Sequence, residues 1–193
     1  MAIVFDEVSY TYHQSAPYPA LNKFSVSIEL GSFVGLIGHT GSGKSTLLEH
    51  INGLKLPQSG RVLINGLDTS DKKQRRKIRS LVGFITQNPE HQLFAETVFE
   101  DIAFGPRNIG VDEENIKTRV HEALKKTGIE PSEELLAKSP FELSGGEQRR
   151  VAIAGILAMK PQILAMDEPF AGLDPAGRRR IMKLTKELND EGT

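Results

Sequence analysis

Three short stretches hold residue types whose spacing suits the handling of phosphate. Gly38-His39-Thr40-Gly41-Ser42-Gly43-Lys44-Ser45-Thr46 fits the pattern G-x-x-x-x-G-K-[ST]. Its glycines let the backbone curl until several N–H groups point inward, and a helix starting there adds the positive end of its dipole. Lys44 would then reach the outer phosphates of a nucleotide, and the Ser45 hydroxyl would bind Mg²⁺. The plainer reading is a flexible Gly/Ser turn before a helix. The second stretch, Ile163-Leu164-Ala165-Met166-Asp167-Glu168, is an apolar strand ending in two acids. It sets carboxylates at the carboxyl edge of a sheet, where open α/β folds bind ligands. Asp167 would help hold Mg²⁺, and Glu168 would polarise a water for in-line attack on the terminal phosphate. Such a strand end is common, and the upstream phosphate loop is what favours the metal reading. The third stretch, Leu143-Ser144-Gly145-Gly146-Glu147-Gln148, contains an S-x-x-E capping box for a helix burying Val151, Ile153, Ile156 and Leu157. A capping box does not require the two adjacent glycines, whereas a helix start that receives a second phosphate does.

These residues need elements to carry them. Phe24, Val26, Ile28 and Leu30 alternate with polar residues, which predicts a half-buried strand antiparallel to one near Ile3 to Tyr12. The unbroken apolar run Phe33 to Ile37 predicts a central strand buried on both faces, leading into the phosphate loop. A helix through Leu47, Leu48 and Ile51 stops near Gly53. Turn signals at Pro57 to Gly60 and Asn65-Gly66 bracket a strand over Arg61 to Ile64, and Leu81 to Thr86 is another strand. Ile116, Val120 and Leu124 recur every four residues and predict a helix from Asp112 to Gly128. Pro175 to Leu188 reads as a helix with proline in its first turn. Within Thr86 to Pro106, six large apolar residues match neither a clean alternation nor a full helix, and Gly105-Pro106 reads as a stop. Strands alternating with helices imply a mainly parallel sheet, with a mostly helical insertion over about 88–143.

Composition narrows the partners. The chain has 193 residues, 38% hydrophobic and 25% charged, with a formal net charge of -1. It reads as one globular domain with no general attraction to nucleic acid or acidic lipid. Cysteine is absent, so disulfides and thiolate zinc sites are excluded. No apolar run approaches the roughly 20 residues needed to span a bilayer, and the N-terminus lacks a signal-peptide layout. The basic run Lys72, Lys73, Arg75, Arg76, Lys77 and Arg79 reads as a solvated face.

The order of Gly38 to Thr46, Gln87, Leu143 to Gln148, Ile163 to Glu168 and Ala171-Gly172-Leu173-Asp174 resembles the Walker A, Q-loop, signature, Walker B and D-loop series of ABC-type ATPase domains. The resemblance spans essentially the whole chain. It implies a P-loop NTPase (RecA-like) α/β core with a mainly parallel sheet, an N-terminal antiparallel β subdomain and a helical insertion. It further implies two such domains clamping two Mg·ATP head to tail, as a homo- or heterodimer. By position, Ser144, Gly145, Gly146 and Glu147 would meet the γ phosphate bound by the partner. Gln87 would sense Mg²⁺ and water beside Glu168 and Lys44, and Asp174 would lie at the dimer contact. Tyr12 matches the aromatic that stacks on adenine; Tyr10 on the same strand face is the alternative, and a packed strand tyrosine the plain reading.

Gln87-Asn88-Pro89-Glu90, Gln92-Leu93-Phe94, Glu96-Thr97-Val98 and Ala103-Phe104-Gly105-Pro106 look like the ATPases of energy-coupling factor transporters, the cobalt and vitamin importers. Gly38-His39-Thr40-Gly41 and Arg149 to Gly155 point the same way, and Ala171 to Pro175 with His39-Thr40 resembles the second of that family's two ATPase types. The resemblance implies a peripheral subunit on the cytoplasmic face of the membrane, joined through coupling helices to a transmembrane T component and indirectly to a substrate-binding S component. Leu93, Phe94 and Phe99 would anchor the coupling helix, unless they pack the insertion internally. Phe170 departs from the small or polar residue usual after Asp-Glu-Pro, and Glu147 replaces the commonest signature glutamine. The family continues into a strand bearing a switch histidine, and none of His13, His39, His50, His91 or His121 matches it; the expectation is a chain that hydrolyses ATP slowly or not at all. Two other readings are a soluble ABC ATPase acting on nucleic acid or ribosomes and a phosphate-loop kinase, which would leave Leu143 to Gln148 without a role.

Overall fold

The computed structural model describes residues 1–13 and 18–193. β1 (Ile3–Tyr10) and β2 (Leu21–Ile28) form the expected antiparallel pair, with Ile3 opposite Ile28 and Phe5 opposite Val26. Beyond the phosphate loop come α1 (Lys44–Ile51), β3 (Ser59–Ile64) and β4 (Leu67–Asp68). β3 and β4 are joined at Asn65-Gly66, where both residues have positive φ, the conformation that this dipeptide favours in a two-residue hairpin. These strands make a four-stranded sheet in the order β2-β1-β3-β4. α2 (Arg75–Leu81) leads straight into β5 (Val82–Ile85). The insertion holds α3 (Val98–Ile109), α4 (Glu113–Lys126) and α5 (Glu133–Ala137). It is followed by α6 (Gly145–Leu157), β6 (Ile163–Met166) and α7 (Pro175–Asp190). β5 and β6 pair in parallel, so the fold is α/β with an antiparallel N-terminal sheet, as expected.

Burial divides the interior into two clusters. One lies under the antiparallel sheet and α1, around Phe5, Val8, Ile51, Val62, Ile64 and Ile78. The other joins the insertion to α6 and α7 through Ile102, Ile116, Val120, Leu124, Val151 and Leu184. β5 and β6 serve both: Val82 and Ala165 belong to the first cluster, Ile85 to the second. Gln87, Asp167 and Glu168 follow the ends of these shared strands.

Two expectations are corrected. Phe33 to Ile37 is not a strand, and its side chains are exposed, Phe33 at 70% and Ile37 at 99%. A strand needs a ladder on its edges as well as apolar side chains, and among the described residues no strand pairs with this segment. Gly105-Pro106 does not stop α3, which runs through it to Ile109. Pro106 removes one intrahelical donor, but its buried ring continues the stripe Val98, Ile102, Ala103, and the helix ends instead at Gly110 with φ 88°. Phe94, Phe99 and Phe104 lie off that stripe, which is why the helical period was masked.

Candidate nucleotide-binding site

The phosphate loop is shaped by two glycines with left-handed backbone, Gly41 and Gly43. At Gly43, the N-cap of α1, a Cβ would lie 2.4 Å from the Ala20 carbonyl oxygen, so no other residue fits without displacing the sheet. Lys44 folds back over the loop and donates to the carbonyls of Gly38 (2.9 Å) and His39 (3.0 Å). The His39 imidazole Nδ1 lies 2.9 Å from the Thr40 carbonyl. Thr40, Gly41, Ser42 and Ser45 are exposed at the mouth of the loop, while Thr46 is buried. The cradle is thus formed, with its ammonium tethered inside.

Sheet register brings the other functional groups together. Ile85 of β5 pairs with Met166 of β6, and the Asp167 N–H donates to the Ile85 carbonyl at 2.9 Å. Parallel strands in this register end side by side, so Gln87 and Glu168 meet: the Gln87 amide Nε2 donates to Glu168 Oε2 at 3.0 Å. Glu168 has φ 46°, a left-handed conformation that a non-glycine residue adopts at a cost of about 1–3 kcal/mol. Strain of this kind persists only where the surroundings impose it, and here it aims the carboxylate at Gln87. α1, which begins at Lys44 and Ser45, packs against β6, which Asp167 follows. The oxygen donors offered are one hydroxyl, one amide and few carboxylates, and no group of three metal-binding side chains occurs among the described residues. That donor set fits Mg²⁺ completed by nucleotide phosphate rather than a closed protein cage.

The signature-like segment starts α6 as a capping box. The Ser144 N–H and hydroxyl both donate to Glu147 Oε2, at 2.9 and 2.6 Å. These bonds hold the Glu147 carboxyl below its ordinary value. Gly145 and Gly146 have neither positive φ nor a close neighbour: a Cβ on Gly145 would touch nothing within 4 Å, and on Gly146 only Arg150 Nη1 at 3.6 Å. Packing within the chain therefore gives no reason for either glycine. Asp174 has a structural task that the sequence did not suggest, capping α7 by accepting from the Gly177 N–H at 2.7 Å.

Tyr12 is half exposed, with its hydroxyl 2.8 Å from Thr46 Oγ1. Tyr10 packs inward, edge-on to both Tyr12 and the fully buried His50. His50 Nδ1 lies 2.7 Å from the Thr46 carbonyl. Burial pushes the His50 imidazole below its ordinary value, against the backbone bonds to Thr46 and Leu56 that pull it up. Arg149 is buried on α6 and donates to the carbonyls of Pro169 (3.0 Å) and Ala171 (3.3 Å), tying the start of α6 to the turn after Glu168. The sequence carried a signal for it: Arg149 shares the i, i+3, i+4 face of Ala152 and Ile153, both buried.

A groove of about 850 Å³ runs between α2, α3 and α6. Its wall is Lys72, Arg75, Arg76 and Arg79, and its floor includes Leu93, Phe104 and Met159. Lys72, Arg75, Arg76 and Arg79 of the basic run thus line the groove, while the run as a whole stays largely exposed, as a solvated face would. Of the expected anchors, Leu93 lies in the floor and is itself buried. Phe94 is 58% exposed and packs edge-on against Phe104. Phe99 does not line the groove; it packs against the helical core with the Arg107 guanidinium 5.9 Å from its ring centre. No described helix is long and apolar enough to cross a membrane.

Comparison with known proteins gives the family. The family model described as ABC transporter matches residues 21–171. The energy-coupling factor transporter ATP-binding protein EcfA2 of Caldanaerobacter subterraneus subsp. tengcongensis is 56% identical over 194 residues, covering 99% of this chain and 67% of the relative. The chain spans about two thirds of the length of the curated relatives it matches. Among solved structures, cbiO1 from Clostridium perfringens, part of the ABC transporter complex cbiONQ, superposes with TM-score 0.82 at 40% identity, covering 99% of this chain and 74% of the other. The dimeric ATP-binding cassette MJ0796, in a post-hydrolysis state bound to ADP and Pi, gives TM-score 0.85 at 33% identity, covering 98% and 84%. With a family model matched over most of its length and curated relatives about half identical to it, the chain belongs to the ABC transporter family, among the energy-coupling factor ATP-binding proteins.

Proposed function

We propose that this chain is the nucleotide-binding part of an ATPase subunit that drives uptake of a micronutrient, a vitamin or transition-metal ion, through membrane partners. The observation that carries the reading is the Gln87–Glu168 pair at the joint end of β5 and β6. Glu168 accepts the proton of the attacking water, Gln87 orients that water, and Lys44 leaves its loop carbonyls to meet the negative charge of the phosphates. Ser45, Asp167 and Gln87 would hold Mg²⁺, which supplies charge neutralisation at the phosphates when bound. Tyr12 stacks on the base. Gly145 and Gly146, which the chain's own packing does not require, leave room for a γ phosphate held by a second ATPase subunit, homo- or heterodimeric. Asp174 lies at that dimer contact.

The groove between α2, α3 and α6 receives the coupling helix of the transmembrane T component, with Leu93 in its floor and Phe94 packed against its Phe104. The S component is reached only through that partner, and the subunit sits peripherally on the cytoplasmic face. Glu168→Gln in the full-length protein tests the chemistry: phosphate release should fall by two orders of magnitude or more while ATP remains bound in a closed dimer, a cost of about 2.7 kcal/mol or more in barrier height. An unchanged hydrolysis rate would remove Glu168 from its assigned role.

A further inference from the structure

Lys55 lies just beyond the C-terminal end of α1, whereas Lys44 and Ser45 lie at its N-terminal end. Its backbone N–H donates to the Glu49 carbonyl at 3.1 Å, and its ammonium is 3.4 Å from Glu49 Oε2. The same ammonium stands 4.8 Å from the centre of the Tyr12 ring and 5.8 Å from that of Tyr10. Tyr12 is fixed on two further sides, by its hydroxyl on Thr46 (2.8 Å) and by the edge-on contact with Tyr10 (5.3 Å between centres). A tyrosine 51% exposed at the end of a strand would otherwise exchange rotamers freely. Here a cation, a hydroxyl and a second ring hold it in one orientation with half its surface open. The Lys55 side chain is itself only 24% exposed, so its attraction to the ring is less screened than that of a surface lysine.

We propose that Lys55 is a positioning residue for the nucleotide base: by holding one side of the Tyr12 ring it presents the open side for stacking, and so contributes to affinity for the base and not for the phosphates. The inference rests on the reading of Tyr12 as the adenine platform. Glu49 belongs to the same device, since it keeps the ammonium over the ring. Among the described residues no hydrogen bond or ion pair runs from Lys55 to Gly38–Thr46, and Tyr12 meets that loop only through Thr46 Oγ1, so the two halves of the ligand can be tested separately.

The test is equilibrium binding of Mg·ATP and of inorganic tripolyphosphate to the full-length protein and its variants, with thermal melting to confirm folding. Lys55→Met keeps the apolar stem and removes the charge. It should weaken ATP binding about two- to fivefold, the range for a partly exposed cation over a ring, and leave tripolyphosphate binding unchanged. Lys55→Arg should restore ATP affinity. Tyr12→Ala should bring ATP affinity down towards that of tripolyphosphate. If Tyr12→Ala has no effect on ATP, the platform reading falls and the inference with it. If Tyr12→Ala weakens ATP but Lys55→Met binds it as well as or better than the parent, the platform stands and Lys55 has no positioning role. Equal losses for ATP and tripolyphosphate in Lys55→Met would also overturn the proposal, because they would mark a general charge or folding effect.

Discussion

At the scale of single residues, the site depends on groups held where their chemistry is costly. Glu168 occupies a left-handed backbone conformation next to Gln87, and Gly43 sits where any Cβ would strike Ala20. His50 is the titratable case. It is fully buried between α1 and Tyr10, with Glu49 and Lys55 as its charged neighbours, and burial holds its imidazole below the ordinary 6.5. The folded state therefore favours the neutral ring. Its contribution to stability is complete above the unfolded value near 6.5 and is lost as pH falls towards the depressed folded value. Glu122 and Glu147 have carboxyls held below their ordinary 4.5, by bonds to Lys160 and Ser144, so their contribution is complete above that value and is lost only as pH falls below it, outside the window set by His50. The urea midpoint should thus drop between about pH 7.5 and pH 5.5, and the drop should be smaller in His50→Phe. An equal drop in both would assign the effect to other groups.

At the scale of elements, α3 separates residues that build the fold from residues left for a partner. Ile102 lies on the buried stripe at 0% exposure, and Leu93 at 7% belongs to the same cluster. Ile102→Ala should lower unfolding free energy by about 2–5 kcal/mol, as cavity-forming truncations do. A charge at Leu93 should likewise destabilise, so Leu93 is a poor probe of docking. Phe94 is the clean probe, because it is exposed and makes its aromatic contact with another exposed ring, Phe104. Phe94→Glu should leave the melting temperature within a few degrees and ATP binding intact while abolishing coupled uptake in cells. Loss of folding in that variant would return Phe94 to the core. The apolar stripe of α3 was only partly legible in the sequence, because the off-stripe phenylalanines and Gly105-Pro106 hid a helix that tertiary burial favours despite the proline.

At the scale of the whole molecule, two interior clusters meet at β5 and β6, and Arg149 is a polar tie between α6 and the turn that follows β6. Its guanidinium is 7% exposed and is spent on two backbone carbonyls, Pro169 and Ala171, next to Glu168 and before the Asp174 cap. The start of α6 and the turn after β6 are therefore held as one body. Arg149→Met should leave both carbonyls without a donor and cost about 1–3 kcal/mol in denaturant unfolding. A loss under about 0.5 kcal/mol would show that the tie is dispensable.

The local sequence was sufficient for the chemistry that local backbone conformation decides. The curl of Gly38 to Gly43, the Ser144–Glu147 cap, the Asn65-Gly66 hairpin and the alternating β2 face depend on neighbours within a few residues, and each appears where its pattern lies. The order of motifs was enough to identify the family, down to its energy-coupling factor branch. What only the tertiary structure decided depends on residues far apart in the chain. Gln87 and Glu168 meet because β5 and β6 share a register, and Lys55 lies on Tyr12 because α1 packs under β1. Part of the basic run, Lys72, Arg75, Arg76 and Arg79, lines a groove because α3 and α6 lie opposite it. Phe33 to Ile37 shows the same limit from the other side: its composition suits a buried strand, but burial and pairing are supplied by neighbours, and among the described residues none pairs with it.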